Sequence, residues 1–472
     1  MSQTDSKSYN PIKAGIAYTI GNMLVKGIPF ITLPIFTRIL TTADFGLYNT
    51  YLSYENIISI LLGLGLYGTI RIARYQYEDS FEEYISTLYS FQSIFCLILY
   101  PIVFIIFKVM NPDTWFDDRL LIILLCNCFC TIIYNVASAK YAILGDVKNN
   151  LILSFILTIF NICLSLLLCL TVFSTERYFG RILGTFLGAA IITILILFSQ
   201  LKANNKLLDI KKLKFALKMG IPLIPHMLSL TILSQCDKIM IQSIVGNSEA
   251  GIYSFAVNII SILTVLVTSI DNAWAPWFYG KLRNREYKEV SKINSYMVLA
   301  FGIMTCLFML VSPDIIKIMS DSSYWNSIYS LIPLTLSTMF NFAYLIPVNL
   351  EYFHKKTIYV SISTLITAVL NIILNFFFIS FMGYVGAAYA TCISKLVLFV
   401  MHWLVINKLQ KERVANIKMI IVSFILTIIV GVFVLNYVDN YLFRYIVFIL
   451  LFIISCLFIK KFDLLPKRRN IQ

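Results

Sequence analysis

The sequence predicts an all-α polytopic membrane protein, and three observations predict it. Hydrophobic residues make up 59% of the 472 and charged ones only 13%, with a mean hydropathy of +0.82. A soluble domain carries about 25% charged residues. The apolar residues fall in blocks of about 20, the length a helix needs to cross hydrocarbon. The basic residues gather in the short segments between the blocks, where they set orientation in a bilayer. A soluble core of this composition would leave too little polar surface to meet water.

Reading the apolar blocks between charged breaks gives about fourteen spans, at 12–35, 46–70, 84–108, 120–140, 150–172, 180–200, 219–243, 250–276, 291–311, 325–350, 358–380, 384–406, 417–436 and 442–460. The polar stretch from Met1 to Asn10 lacks the basic, short-cored pattern of a cleavable signal, so the first span is expected to serve as the targeting signal. With the N-terminus in the cytoplasm, 28 of the 38 Lys and Arg fall in inside segments and 7 in outside ones. The bias alternates loop after loop, which places both termini in the cytoplasm. The net charge of +14 is therefore read as membrane topology and not as nucleic-acid binding. The ten cysteines all fall inside spans. Cys126, Cys128 and Cys130 are spaced by two and do not share a helix face, so they read as packing residues and not as a metal site.

Spans one to six and seven to twelve resemble each other. Gly46-Leu47-Tyr48 is echoed by Gly251-Ile252-Tyr253, Asn161-Ile162 by Asn371-Ile372, and Tyr178-Phe179-Gly180 by Tyr384-Val385-Gly386, at offsets of 205, 210 and 206 residues. An offset of an even number of spans keeps both copies in one orientation, a parallel repeat of the kind that brackets a substrate path near the bilayer midplane. The expected domains are a six-helix lobe at 1–200, a basic cytoplasmic linker at 201–218, a second six-helix lobe at 219–407, and two further helices with a basic tail at 408–472.

Charge inside a membrane costs about 2.5–3.5 kcal/mol per residue at a helix centre, so each such residue is a candidate. Lys26, Glu55 and Lys395 fall near the middles of spans one, two and twelve. Asp237 and Lys238 lie in the outer part of span seven, Asp271 near the inner end of span eight, and Arg71 and Arg74 at the inner end of span two. For Arg71, Arg74 and Asp271, snorkelling or neutralisation within a lobe accounts for the charge as well as function does. Lys26 and Lys395 are too central to snorkel and favour a cationic cavity; one lysine from each lobe suits a phosphate or pyrophosphate bridging them. The candidate substrate-binding residues are Lys26, Lys395, Lys238, Arg71 and Arg74, and the candidate ion-coupling or charge-pairing residues are Glu55, Asp237 and Asp271. Glu55 is expected to pair with Lys26, with proton uptake as the second reading. Pro29, Pro34, Pro222 and Pro225 mark expected kinks, static or gating; His226 and His402 read first as packing or interfacial residues and second as a proton relay; Trp274-Ala275-Pro276-Trp277 reads as an interfacial anchor before a sugar-stacking platform. No Walker-type loop and no catalytic or cofactor motif is present.

The segment 28–53, IPFITLPIFTRILTTADFGLYNTYLS, resembles the first two helices of bacterial polysaccharide flippases of the Wzx type. The segment 221–259, with its Pro-x-x-Pro-His run, the Asp237-Lys238 pair and the Gly-x-Tyr turn, resembles the start of that family's second lobe, and NAWAPWFY at 272–279 and YVGAAYAT at 384–391 add to it. The resemblance implies a member of the multidrug/oligosaccharidyl-lipid/polysaccharide exporter superfamily, two six-helix lobes in a V shape plus two C-terminal helices. It implies translocation of an undecaprenyl-pyrophosphate-linked oligosaccharide across the bacterial plasma membrane through a cationic lumen, with membrane lipids, a polysaccharide polymerase and a chain-length regulator as partners. A cation-coupled multidrug exporter and a peptidoglycan-precursor flippase are the rivals on the same fold. A polymerase is disfavoured for want of a large outer loop.

Overall fold

The computed structural model describes residues 27–110, 117–203, 208–410 and 412–461, and these are helical almost throughout. Eleven helices are long and apolar enough to cross a membrane, and a twelfth span is a bent pair, Thr42–Gly63 with Leu66–Gln76. Two shorter apolar helices, Gly27–Ile39 and Tyr441–Cys456, fall on the first and last expected spans. The protein is thus a multi-pass helical membrane protein, and among the described residues each expected span overlaps a helical segment; 12–26 of the first span lie outside them. Polar residues between apolar blocks act as caps, which is why the loops are short: Thr41 and Asp44 form a capping box, and Asp117 and Asp146 accept from Leu120 N and Asn149 N.

The described residues form two compact units, Met1–Gly251 and Ile252–Gln472. The first contains α1 (Gly27–Ile39), α2 (Thr42–Gly63), α3 (Ile70–Gln76), α4 (Phe81–Met110), α5 (Asp118–Leu144), α6 (Val147–Leu170), α7 (Arg177–Ala203), α8 (Ile210–Gly220) and α9 (Ile224–Ile244). Span two bends by 58° where Leu64 and Gly65 both take left-handed backbone angles, φ 50° and 64°. The break frees carbonyls, and Gln92 from α4 donates to one of them, Gly63 O, at 3.0 Å. A Cβ on Gly65 would sit 2.7 Å from Gly220 O, and one on Gly220 would sit 2.8 Å from Leu64 O, so the bend packs against the α8–α9 junction. Residues 210–218 of the basic segment are not loose chain: α8 is capped by Asp209, and its Lys212 is tucked against Glu83 at 2.6 Å. Pro222 stands in the 3₁₀ turn Ile221–Leu223 and Pro225 in the first turn of α9, inside the helical run Ile210–Ile244.

The repeat is visible in contacts as well as letters. A methyl group on Gly46 would fall on the carbonyl of Asn247, and one on Gly251 on the carbonyl of Thr42. The contact is reciprocal, each glycine facing the residue four positions before the other, and Thr42 and Ser248 share a 2.6 Å hydroxyl hydrogen bond beside it. In the α6–α7 hairpin Gly180 lies against Leu168–Cys169, and the Asn161 amide, oriented to donate, reaches Thr185 O at 3.1 Å. The equivalent hairpin of the second unit, α13 (Thr357–Met382) and α14 (Tyr384–Leu409), packs Gly386 against Phe378–Ile379 and joins Asn371 to Thr391 at 3.4 Å.

The second unit is completed by most of α10 (Asn247–Arg283), with α11 (Tyr287–Met319), α12 (Ile328–Phe353), α15 (Ile417–Asn436) and α16 (Tyr441–Lys461). Its core stacks Phe301 on Phe342 at 3.9 Å and sets Phe424 of α15 edge-on to Phe340 and Phe399. Trp274 belongs to this core and is not an interfacial anchor: it is 7% exposed, and its Nε1 donates to Asn294, whose amide donates on to Val414 O. Indole is large and apolar, but its one N–H needs a partner when buried, and the sequence alone does not display Asn294 as that partner. The C-terminal helix is latched by Arg444, 1% exposed, which grips Asp314 of α11 with both terminal nitrogens at 2.8 and 3.1 Å and donates to Leu310 O.

Two outcomes are expected. Gly46→Val or Gly251→Val should destabilise the protein by about 1–3 kcal/mol through overpacking, read as a lower melting temperature in detergent. Arg444→Ala should cost about 3–5 kcal/mol by stranding Asp314, and Arg444→Lys should rescue little because lysine cannot make the paired contact. Limited proteolysis of the C-terminal segment reads the second.

Candidate functional site

In the first unit Glu55 lies midway along α2 and is 8% exposed. Its carboxylate is clamped from α5, where Asn127 donates to Oε2 at 2.7 Å and Thr131 to Oε1 at 2.6 Å. Residues four apart share a helix face, so α5 offers both donors to one carboxylate. Glu55 is therefore held by neutral groups. Its expected partner, Lys26, lies outside the described residues. A cavity of about 220 Å³ opens beside this clamp, lined with Asn56, Ser59, Gln92, Thr131, Asn135 and Thr231 among others. Thr131 belongs to both the clamp and the cavity wall, which puts the carboxylate one hydroxyl away from a polar space at mid-span.

On the neighbouring face of α2, Ser53 donates to Gln235 of α9 at 3.1 Å, and the same amide oxygen accepts from Lys238 at 3.1 Å. Lys238 is half-buried and Asp237 buried, on adjacent positions of α9. Arg71 is exposed on α3, while Arg74 donates to Glu78 O and lies over the Phe81 ring, 5.4 Å from its centroid. Arg74 thus closes the turn between α3 and α4.

In the second unit Lys395 of α14 is half-buried and donates to Asn341 of α12 at 3.2 Å. Asp271 of α10 accepts from Asn349 at 3.0 Å, and the Asn349 oxygen accepts from Tyr279 at 2.6 Å. The structure thus draws Asp271 into a three-membered polar chain across α10 and α12. It also shows a pair that sequence reading missed, Glu351 of α12 and His402 of α14, both fully buried and 2.8 Å apart. Glu351 stands one residue past the expected end of span ten and directly before a polar stretch, so it reads as an ordinary boundary residue.

The fold is shared with solved transporters. It is similar to a lipid II flippase, MurJ, in an inward closed conformation, with a TM-score of 0.75 at 15% identity over 95% of this chain and all of the other. It is also similar to an inward-facing multidrug resistance MATE transporter of the MOP superfamily, at 0.64 and 15% identity over 84% of this chain and 97% of that one. These likenesses show a fold class that the chain shares with those solved structures.

Within that class the chain belongs to the polysaccharide biosynthesis protein family, which matches residues 12–280. Among curated relatives, an Lsg-locus protein of Haemophilus influenzae is 22% identical over 79% of this chain and 94% of its own length. A second membrane protein of that organism is 24% identical over 76% of this chain and 88% of its own.

Removing the clamped carboxylate tests its structural share. Glu55→Ala should leave Asn127 and Thr131 without an acceptor and cost about 1–3 kcal/mol. Glu55→Gln keeps one acceptor and should cost less, as melting of the purified protein in detergent will show.

Proposed function

We propose that this protein is a flippase that carries an undecaprenyl-pyrophosphate-linked oligosaccharide repeat unit from the cytoplasmic to the outer leaflet of the bacterial plasma membrane, for assembly of a surface polysaccharide such as O-antigen, capsule or exopolysaccharide. The observation that carries the reading is the pairing of family with charge. A polysaccharide-biosynthesis family member on a transporter fold places Lys238 and Lys395 inside spans, where they donate to Gln235 and Asn341. A lysine is a compact, hydrated point charge suited to a pyrophosphate, and a charged glycan head needs such a path while the prenyl tail stays in lipid. In this reading 1–200 and 219–407 work as two six-helix lobes with both termini cytoplasmic. Glu55, Asp237 and Asp271 serve ion coupling or charge pairing. Lys26 adds a third cation to the path, Arg71 and Arg74 meet the head group at its inner mouth, and a polymerase with its chain-length regulator receives the product.

The test is deletion of the gene in its own host, followed by scoring surface polymer and the sidedness of lipid-linked intermediates. Loss of polymer with intermediates on the cytoplasmic face is expected. Complementation by Lys238→Ala or Lys395→Ala at matched expression should restore polymer about tenfold less well, as loss of about 1.4 kcal/mol of binding would predict. Full polymer with raised sensitivity to cationic drugs would instead make the protein an exporter. Cell lysis with accumulated peptidoglycan precursor would make it a precursor flippase.

A further inference from the structure

The first unit is hollowed on its outer surface beside α8. A groove of about 340 Å³ runs between α4 and α7, walled by Ser86, Ser90, Ile94, Leu197 and Leu201 among others and bordered by Leu208, just before α8. Ile94, Leu201 and Leu208 are about half exposed, so the groove opens outward. From Ser86 to Ile94 it follows α4 for about 12 Å at helical rise. Ser86, Ser90 and Ser93 fall at i, i+4 and i+7 and line one face of α4 with small side chains. Larger residues there would close the channel. Its floor is fixed by the buried Gln200 of α7, which donates to Ser86 at 3.0 Å.

The α8 end of the groove carries surplus positive charge. Three acids flank it, and each is already engaged: Glu82 meets Lys140 at 2.7 Å, Glu83 meets Lys212 at 2.6 Å, and Asp209 caps α8. Lys202, Lys211, Lys214 and Lys218 are exposed. The last three fall at i, i+3 and i+7, a stripe along the outer face of α8. Lys202 folds its ammonium back over the exposed Phe198 ring, 4.5 Å from the centroid and one turn deeper into the span. A lysine seeking water at a membrane surface snorkels outward; this one turns back beside Leu201. Asp209 N donates to Thr87, the neighbour of the Ser86 that Gln200 reaches. The end of α7 and the start of α8 therefore meet at one level of α4, and Lys202 and Lys211 each stand two residues past it. An apolar channel ending in unmatched lysines is complementary to an acyl chain ending in a phosphate.

We propose that this groove holds one anionic glycerophospholipid of the surrounding leaflet, with an acyl chain along α4 and α7 and its phosphate at Lys202 and Lys211. Charge bias assigns this end to the cytoplasm, where anionic lipids attract lysines at the membrane surface. A zwitterionic head would bring its own cation against the same lysines. The bound lipid braces α8, which leads through Ile221–Leu223 into α9, against α4 and α7. The site does not depend on what the protein transports.

The full-length protein, delipidated in detergent, is titrated with dioleoylphosphatidylglycerol or dioleoylphosphatidylcholine and read by native mass spectrometry. The anionic lipid should be retained at least about tenfold more tightly, as two lysines at a membrane surface would give. Lys202→Ala with Lys211→Ala should remove that preference, and both side chains are exposed, so folding is not at risk. Lys288→Ala with Lys292→Ala, exposed on α11, should leave it intact. A phosphatidylglycerol with a diazirine on its acyl chain should crosslink to peptides of α4 and α7. Ser90→Trp, which fills the groove, should abolish those crosslinks. Equal retention of the two lipids, equal loss in both lysine pairs, or crosslinks confined to other helices would overturn the site. So would one-for-one displacement of the probe by undecaprenyl pyrophosphate, which would give the groove to the lipid carrier instead. The wild-type crosslinks do not depend on any variant folding.

Discussion

Hydrocarbon offers no water to hydrogen-bond with, so every polar group in a span must find its partner in another part of the chain. Nearly all that is specific in this structure follows from that requirement. Apolar side chains can pack against lipid or against each other at little difference in energy, and they do both here. Polar side chains cannot. Asn127 and Thr131 fix α5 against α2 through Glu55, Gln200 of α7 bonds to Ser86 of α4 at 3.0 Å, and Asn294 ties α10 to the loop before α15. These bonds choose which helix faces meet, which the hydrophobic effect alone does not decide in a membrane.

The same requirement explains how much was legible beforehand. Helices and their limits could be read because length and charge bias act on the sequence directly. The caps at Thr41, Asp117 and Asp146, which start α2, α5 and α6, emerge only from the structure. The repeat could be read because its glycines sit at backbone contacts that tolerate no side chain, so Gly46 and Gly251, or Gly180 and Gly386, mark the same positions in each copy. The charged candidates could be read because each is expensive. Their neutral partners could not, since an Asn or Thr in a span is common and bonds as readily to its own backbone as to a neighbour; Asn127, Gln235 and Asn341 emerge only from the packing. Glu351 escaped for the opposite reason, standing where a polar residue costs nothing on paper while the fold buries it completely.

Short contacts of two kinds divide the labour. Glycine contacts, backbone against backbone, hold hairpins such as α6–α7 and α13–α14 rigidly. Around the candidate residues the contacts are made by side chains with rotatable bonds, and a polar cavity lies beside the Glu55 clamp at Thr131. Stiff hairpins with adaptable polar seams suit a protein that must change shape without unfolding. The break in span two belongs with the seams: Gly63 O is satisfied by Gln92, so the bend leaves that carbonyl with a partner.

The latch between Asp314 and Arg444 bears on how the chain is made. Synthesis runs from N- to C-terminus, so Asp314 enters the bilayer region long before its guanidinium partner exists. Until the ribosome has added some 130 further residues, the nascent α11 carries an acid that nothing downstream has yet matched. Arrival of α16 removes that liability: a chain truncated before Arg444 would present an unpaired carboxylate for membrane quality-control proteases to find.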